Sequence, residues 1–275
     1  MNELIAAGVV SFPNIDPVIF SLGPIAIRWY SMAYIGGIMF AWWYIRRETE
    51  KPGAPLSATH IDDFITWGML AIIVGGRLGY VLFYNFQAYL HHPGRIIRVW
   101  DGGMSFHGGL IGVVIALAIY VHRHKLDLFK VGDIVAVVSP IGLLAGRLAN
   151  FINGELWGRP TDVSWAMIFP TDRLQLPRHP SQLYEALGEG LILFIILHLL
   201  YHKTRLAKQA PGVIAGLFFV GYGITRFLVE FVREPDSHLG LMEIGLSRGQ
   251  LLTFPMFIFA GWLIYRGLQT KRANA

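Results

Sequence analysis

Residues 133–152 read DIVAVVSPIGLLAGRLANFI. This stretch is apolar along nearly its whole length, and about 20 such residues suffice to cross a lipid bilayer as one helix. Its last third nevertheless contains a cation, Arg147, followed by Asn150. Because Phe151 and Ile152 continue the apolar pattern, the cation lies inside the predicted helix.

The composition of the whole chain is that of a membrane protein. Of its 275 residues, 54% are hydrophobic and 15% are charged, and the mean hydropathy is +0.48. These proportions exclude an ordinary soluble domain. We predict an all-α integral membrane protein with seven transmembrane helices, at residues 22–45, 62–85, 105–122, 131–152, 183–201, 212–232 and 250–267.

The distribution of basic residues predicts the orientation in the membrane. Every lysine follows the first, third, fifth or seventh segment, whereas the alternate loops lack lysine and carry most of the loop acids: Asp101, Asp162, Asp172, Asp236 and Glu243. Since lysine and arginine favour the cytoplasmic side, the N-terminus is predicted to be periplasmic and the C-terminus cytoplasmic. The prediction is a single membrane-embedded domain, residues 1–275, with periplasmic loop regions near 86–104 and 153–182.

Several classes of function are excluded by what the sequence lacks. There are no cysteines, so disulfides, thiolate metal sites and a cysteine nucleophile are ruled out. The metalloprotease, serine-hydrolase and P-loop motifs are absent, and we expect neither a metal nor a cofactor. The net charge of +5 does not indicate nucleic acid, because the topology accounts for nearly all of the basic residues. The N-terminal stretch has no basic region typical of a cleavable signal peptide.

Four arginines lie within the apolar segments, where charge is costly and normally needs a partner or a water-filled cavity. They are Arg28, Arg77, Arg147 and Arg226. The last three follow the inner ends of their segments by about 14 to 16 residues, or roughly 21–24 Å at the rise of a helix. Arg28 lies near the outer start of its segment, where it could also extend to the interface. All four are therefore predicted to occupy the outer half of the membrane.

The sixth segment contains a polar stripe in GYGITRFLVEFVREPD, residues 221–236. Tyr222, Arg226, Glu230 and Arg233 are spaced by 4, 4 and 3 residues, which places them on one face of a helix. A structural salt bridge is the simpler interpretation. However, two arginines against one carboxylate would leave a positive surplus, and arginine is well suited to binding phosphate through two nitrogen atoms.

Two further stretches could contribute to a site. In DGGMSFHGGL, residues 101–110, His107 begins the third segment, and Gly108 and Gly109 could admit a ligand or another helix. Histidine is the side chain best suited to proton transfer near neutral pH, although an interfacial polar role is an equal alternative. In HPSQLYEA, residues 179–186, helix capping is the favoured interpretation, with His179 and Glu185 as candidates for a site wall.

These residues favour a site for a lipid phosphate at the outer leaflet. One class of function that fits is an enzyme that cleaves a phospholipid near its phosphate. The alternative is an anion or lipid transporter. Transporters commonly bind their substrate at the middle of the membrane between inverted repeats. The polar residues here gather toward one side, and seven segments do not divide into two inverted halves, so the enzyme is favoured.

A family resemblance narrows this choice. GRLANFINGELWG, residues 146–158, closely resembles the stretch G-R-x-x-N-F-x-N-x-E-x-x-G that defines the prolipoprotein diacylglyceryl transferases. RWYSMAYIGG (28–37), HGGL (107–110), HPSQLYEA and GYGITRFLVEFVREPD resemble further blocks of that family. The resemblance extends from the first segment to the sixth, and no motif position departs from the family pattern.

The resemblance implies a bacterial inner-membrane enzyme with seven helices and two substrates, phosphatidylglycerol and a prolipoprotein. The diacylglyceryl group would move from the lipid to the thiol of the lipobox cysteine, with release of glycerol-1-phosphate. The family's essential arginines correspond to Arg147 and Arg226, and its essential histidine corresponds to His107. The binding residues implied by the resemblance, together with the two glycines that follow the histidine, are Tyr30, Asn150, Glu155, Gly158, Tyr222, Glu230, Arg233, Gly108 and Gly109.

Overall fold

The computed structural model describes residues 9–23, 25–234 and 246–273, with only the backbone described at Ile25, Asp101, Phe106 and Arg248. Each of the seven predicted segments overlaps a helix, and the described chain is mostly helix. The loop acids Asp236 and Glu243 lie outside the described residues. The seven long helices are α1 (Trp29–Thr49), α2 (Ala58–Phe83), α3 (Phe106–Arg123), α4 (Leu128–Ile152), α5 (Ser181–Lys203), α6 (Val213–Val229) and α7 (Arg248–Ala273).

Several of these helices are apolar enough to cross a membrane. Among the described residues, α2, α4, α5 and α7 have both the length and the hydropathy of a span, and α3 and α6 are shorter apolar helices. Large apolar side chains such as Ile258 (76% exposed) point away from the protein. An exposed apolar surface of this kind is stable in lipid and not in water. The chain is therefore a multi-pass membrane protein.

The start of the first predicted segment is not helical. Val18–Leu22 (β1) and Ile25–Arg28 (β2) form an antiparallel hairpin, and α1 begins only at Trp29. The predicted span at 22–45 was therefore wrong at its beginning, because a short apolar run satisfies a strand as well as a helix. Arg28 lies at the end of β2 and is exposed, directly before the helix. Two further strands, Met167–Ile168 (β3) and Pro177–Arg178 (β4), pair within the loop that follows α4.

The described chain forms two compact units, residues 1–41 with 132–275 and residues 42–131. In the larger unit, the N-terminus of α6 is fixed by the buried carboxylate of Asp133 on α4. This carboxylate accepts hydrogen bonds from the backbone N–H groups of Gly212 and Ala215, each at 2.8 Å. Two of the backbone donors that a helix N-terminus leaves unpaired are satisfied in this way. The bond fixes α6, which carries Arg226, against α4, which carries Arg147.

In the smaller unit, α2 and α3 pack through glycines. A Cβ at Gly79 would lie 2.7 Å from the Cα of Gly108, and a Cβ at Gly75 would lie 3.0 Å from the Cα of Gly112. Such close backbone contact is typical of small residues at membrane helix interfaces. Ser105 caps α3 by accepting a hydrogen bond from the Gly108 N–H at 3.2 Å. His107 therefore lies in the first turn of a well-anchored helix.

Candidate active site

Glu185 is the centre of the polar site in the larger unit. Its side chain is fully buried near the start of α5. One carboxylate oxygen, Oε1, lies 2.6 Å from Nη1 of Arg226 on α6, and the other, Oε2, lies 3.3 Å from Nη1 of Arg147 on α4. A single carboxylate thus holds two guanidinium groups from separate helices within reach of one small anion.

Two further glutamates surround the same arginines. Glu189, one turn along α5, accepts a hydrogen bond from Nε of Arg147 at 2.5 Å. Glu230 forms an ion pair with Nη2 of Arg226. Arg233 contacts the Oε1 atoms of both Glu185 and Glu230, at 3.2 Å and 4.0 Å. We call these six residues the arginine–glutamate cluster: Arg147, Glu185, Glu189, Arg226, Glu230 and Arg233.

The formal charge of the cluster corrects the expectation drawn from the sequence. The pattern of the sixth segment predicted two arginines against one carboxylate and hence a positive surplus. The described residues place three arginines against three glutamates. The surplus was wrong because Glu185 and Glu189 come from a different helix, where a pattern within α6 could not reveal them. The predicted convergence of Arg147 and Arg226 is what the geometry shows.

The two central arginines keep donors available. The side chains of Arg147 and Arg226 are each 17% exposed, whereas those of Glu185 and Glu189 are fully buried. Within the part of the chain that the structure describes, Nη2 of Arg147 and Nε of Arg226 bind no carboxylate or carbonyl. Because a guanidinium presents five N–H donors, the cluster can bind a phosphate without first breaking every ion pair.

Local backbone geometry places the side chains of this cluster. Residues Ala186–Ile192 of α5 form a π-helical segment, a form that is rare and often found at functional sites. Helix α6 ends at Val229, before the predicted end at 232, with Glu230 as its C-cap. The spacing predicted Arg233 on the helical stripe, but it lies beyond the end of α6 and reaches the cluster from the segment that follows. Tyr222 lies on α6 itself, stacked against Phe218 with ring centroids 6.2 Å apart.

A second hydrogen-bonded group lies at the end of α4. The side-chain amide of Asn150 donates to the hydroxyl of Tyr30 at 3.1 Å and to Oε1 of Glu155 at 2.9 Å. Asn150 is buried, and the backbone N–H of Glu155 donates to its carbonyl at 3.0 Å. Three residues that the sequence singled out separately are therefore one connected unit, which joins the start of α1 to the loop after α4.

Gly158 and Arg233 are joined through the main chain. The two residues form an antiparallel bridge, and the N–H of Gly158 donates to the carbonyl of His179 at 2.8 Å. A Cβ at position 158 would lie 2.5 Å from the Val232 carbonyl oxygen and 2.6 Å from the Cβ of His179. These contacts leave room for glycine alone, and they fix the segment from which Arg233 enters the cluster.

The start of α5 does not use its polar side chains as caps. Within the described residues, the helix start at Ser181 has no side-chain capping hydrogen bond. Ser181 donates to the Leu156 carbonyl at 3.0 Å, and Gln182 donates to the Glu155 carbonyl at 2.7 Å. The capping interpretation of HPSQLYEA was therefore wrong. These side chains hold the loop after α4 against α5, which positions Glu155 and Gly158.

The loop at 153–182 is stabilised by a buried ion pair. Arg178 donates to Asp172 through Nε at 2.6 Å and through Nη2 at 3.1 Å, and both side chains are buried. Burial opposes ionisation of Asp172, but Arg178 and the N–H groups of Leu174 and Leu176 outweigh it and lower the pKa of this carboxyl. The Arg178 guanidinium also lies over the ring of Trp157, 3.8 Å from the centroid. The pair fixes the loop beside Gly158.

A comparison with known protein families gives the affiliation. The sequence model of the prolipoprotein diacylglyceryl transferase family matches residues 17–266, nearly the whole chain. The chain belongs to this family. Among its relatives is the phosphatidylglycerol–prolipoprotein diacylglyceryl transferase of Azospirillum brasilense, which is 52% identical over 257 residues, 93% of this chain and 95% of the relative. The enzyme of the same name from Vibrio parahaemolyticus is 49% identical over 271 residues, 97% of each chain.

The remaining residues implied by the diacylglyceryl transferase resemblance lie in the smaller unit. His107 is exposed in the first turn of α3. Gly108 and Gly109 are buried against α2, where a Cβ at Gly109 would lie 3.4 Å from the Ile72 carbonyl oxygen. Of the two alternatives for these glycines, close approach by another helix is observed. Roles in catalysis for His107 and in substrate binding for the glycines stay predictions.

The partners of Arg77 are main-chain carbonyl groups within the smaller unit. Arg77 is 3% exposed, and its guanidinium donates to the carbonyls of Arg95 and Arg98 at 2.7 Å and 2.9 Å. Further bonds go to the carbonyls of Ile96, Gly102 and Gly103. These hydrogen bonds explain why Arg77 is stable inside an apolar helix, and no bound ligand is needed to stabilise it. Arg77 holds the loop between α2 and α3.

Glu189 is the site residue that the sequence prediction missed. An acid inside an apolar segment is as costly as an arginine there, and Glu189 follows Glu185 by four residues in EALGEGLILF. That spacing is a signal for two acids on one helical face.

His179 is less central to the site than expected. Its ring binds the Tyr184 hydroxyl at 3.2 Å, and burial lowers its pKa while Asp162 opposes the shift. The described residues contain no metal-binding group of three or more histidines and acids.

Proposed function

We propose that this transferase moves the diacylglyceryl group of phosphatidylglycerol to the thiol of the lipobox cysteine of a prolipoprotein, with release of glycerol-1-phosphate. The observation that carries the proposal is the shared carboxylate of Glu185, whose two oxygens hold Arg147 and Arg226. A phosphate presents oxygen pairs of similar spacing and charge, and arginine binds such oxygens in a fixed fork. The names of the relatives supply the two substrates.

The proposal places the chain in the bacterial inner membrane as a single membrane-embedded domain with seven spans. The seven helices and the alternation of basic loops support seven crossings. The N-terminus would be periplasmic and the C-terminus cytoplasmic, with the loops near 86–104 and 153–182 on the periplasmic side. This orientation places the arginine–glutamate cluster toward the outer leaflet, where phospholipid headgroups lie.

In the chemical step, the sulfur of the thiolate attacks the terminal glyceryl carbon of the diacylglyceryl group. A carbon–sulfur bond forms, the carbon–oxygen bond to phosphate breaks, and the phosphate oxygen keeps the electron pair. Arg147 and Arg226 would stabilise the charge that develops on this oxygen, because donors fixed in advance lower the energy of a charged transition state. His107 would take the proton from the thiol, a role that rests on the family resemblance.

The other residues would position these groups. Glu230 orients Arg226, and Arg233 is held by its main-chain bridge to Gly158. Asn150, Tyr30 and Glu155 form a hydrogen-bonded unit that could bind headgroup hydroxyls or phosphate oxygens. Tyr222, on the same helix as Arg226, would complete the wall of the site.

The proposal is tested by incubating the purified protein with a lipobox peptide in phosphatidylglycerol vesicles. The peptide should gain the mass of one diacylglyceryl group, and glycerol-1-phosphate should appear in equal amount. An unchanged peptide mass would contradict the proposal. Flux of a labelled anion or lipid across liposomes, without lipid consumption, would instead support the transporter alternative.

A further inference from the structure

The charge balance of the arginine–glutamate cluster has a consequence for binding a lipid phosphate. Three arginines and three glutamates cancel formally. A phosphodiester adds one negative charge to a group whose carboxylates are buried. An uncompensated charge is strongly disfavoured in such an environment. Either a carboxylate must leave the cluster, or one of them must become neutral.

The three carboxylates differ in how well their charge is stabilised. Glu185 contacts three guanidinium groups through its two oxygens. Glu230 contacts both Arg226 and Arg233. The Oε2 atoms of Glu185 and Glu189 are both buried without a hydrogen-bond partner among the described residues. Oε2 of Glu185 nevertheless lies 3.3 Å from Nη1 of Arg147, whereas the described ion pair of Glu189 is made through Oε1 alone. Glu189 is therefore the carboxylate that loses least by accepting a proton.

Protonation would also change the hydrogen bonding of Oε2 of Glu189. A buried carboxylate oxygen without a donor is costly, whereas a protonated carboxyl carries an O–H that can donate. The charged and titratable groups around Glu189 are Arg147 on α4, Arg226 and Tyr222 on α6, and Glu185 on α5. Arg147 and Arg226 favour the ionised form of Glu189, and a bound anion would weaken that effect.

We propose that Glu189 takes up one proton when the phosphodiester of the lipid substrate binds, so that the cluster remains neutral with its ligand in place. This inference deepens the proposed function and rests on it. Glu189 acts here as a positioning residue that sets the charge of the arginine site. When glycerol-1-phosphate leaves and the arginines are again without an anion, the proton is released.

The proton is counted by calorimetry of the full-length protein in detergent, with a short-chain phosphatidylglycerol as the probe and no peptide present. Titrations at one pH in two buffers of different ionisation enthalpy give the number of protons taken up per lipid bound. The wild type should take up close to one proton. The Glu189→Gln variant keeps the side-chain size and the oxygen that accepts from Arg147, and it should take up nearly none.

The matched control is Glu234→Gln, which makes the same chemical change at a carboxylate that is 40% exposed and pairs with Arg178. This variant should take up as many protons as the wild type. Lipid binding by the wild type without proton uptake would overturn the inference and leave the proposed function intact. Undiminished uptake by Glu189→Gln would also overturn it. Failure of the wild type to bind the lipid would overturn the proposed function, and the inference with it.

A second measurement needs only the wild type and does not depend on the folding of a variant. The phosphodiester stays anionic between pH 6 and pH 9. A change of lipid affinity with pH in this range therefore reports the protonation of groups on the protein. With one proton taken up, the affinity for the lipid should fall by up to about tenfold for each unit of rising pH. An affinity that does not change with pH would overturn the inference.

Discussion

Arg178 and Asp172 form a buried, doubly hydrogen-bonded ion pair in the loop after α4, with donor–acceptor distances of 2.6 Å and 3.1 Å. The same guanidinium donates to the carbonyl of Gly158 at 3.3 Å. Because Gly158 bridges Arg233, this pair connects the fold of the loop to the geometry of the arginine–glutamate cluster.

Removal of one partner of this pair should destabilise the protein. Asp172→Asn leaves the buried Arg178 without its carboxylate, and breaking a buried pair in this way typically costs about 3–5 kcal/mol in the free energy of unfolding. Chemical unfolding in detergent measures the change. The control is Glu234→Gln, which removes the more exposed partner of Arg178 and should cost at most about 1 kcal/mol. Equal stability of the Asp172→Asn variant and the wild type would contradict the assignment.

The same pair predicts a dependence of stability on pH. The pKa of Asp172 is lowered in the folded protein, so its contribution to stability is fully present above the unfolded pKa, about 3.9. That contribution is lost as the pH falls through the lower, folded pKa. The difference in unfolding free energy between the wild type and Asp172→Asn should therefore be constant near neutral pH and shrink below about pH 4. A difference in unfolding free energy that grows in acid would contradict the lowered pKa of Asp172.

Transfer activity should depend on both central arginines. Arg147→Ala and Arg226→Ala each remove one guanidinium that would stabilise the departing phosphate, a loss of roughly 3 kcal/mol or about a hundredfold in rate. Arg226→Lys should also fail, since lysine cannot reproduce contacts to Glu185 and Glu230 through separate nitrogens. The rate of peptide modification in vesicles is the measurement. Arg173→Ala, at an exposed loop position, should retain wild-type activity. Normal rates in both alanine variants would refute the proposed roles.

Position 158 should tolerate only glycine. In Gly158→Ala the added methyl would meet the Val232 carbonyl oxygen at 2.5 Å and His179 at 2.6 Å, so the bridge to Arg233 must open. We expect activity to fall at least about tenfold, the effect of roughly 1.4 kcal/mol on the barrier. The control is Gly261→Ala on α7, where the described surroundings leave the Cβ position open and alanine favours the helix by up to about 1 kcal/mol. Full activity of Gly158→Ala would contradict the argument.

The positions of the helices follow from the sequence because apolar length alone indicates a membrane helix. Each of the seven predicted segments overlaps an observed helix. The hairpin before α1 does not follow in the same way. Its two short apolar runs flank a Gly–Pro pair. Short apolar runs are compatible with the periodicity of a helix and with that of a strand. The hairpin is stabilised by pairing between strands, which a helical-length criterion does not consider.

The composition of the site was predictable only in part. Arg147 and Arg226 are conspicuous because a cation in an apolar segment is rare. Their neutralisation by Glu185 and Glu189 depends on which helices pack together, and these glutamates are separated in sequence from the arginines by about 40 residues. The apolar surroundings therefore identified the cations, whereas the spacing along one helix gave the wrong net charge.

The glycine contact between α2 and α3 bears on the order in which the protein is made. Gly75 and Gly79 meet Gly108 and Gly112 main chain to main chain, and all four positions lie within residues 42–131. This helical hairpin can close once residue 123 has left the ribosome, before Arg147 emerges. Assembly in the membrane can then begin with this packed pair. Arg147 and Arg226 enter the bilayer afterwards, as do the acids that neutralise them.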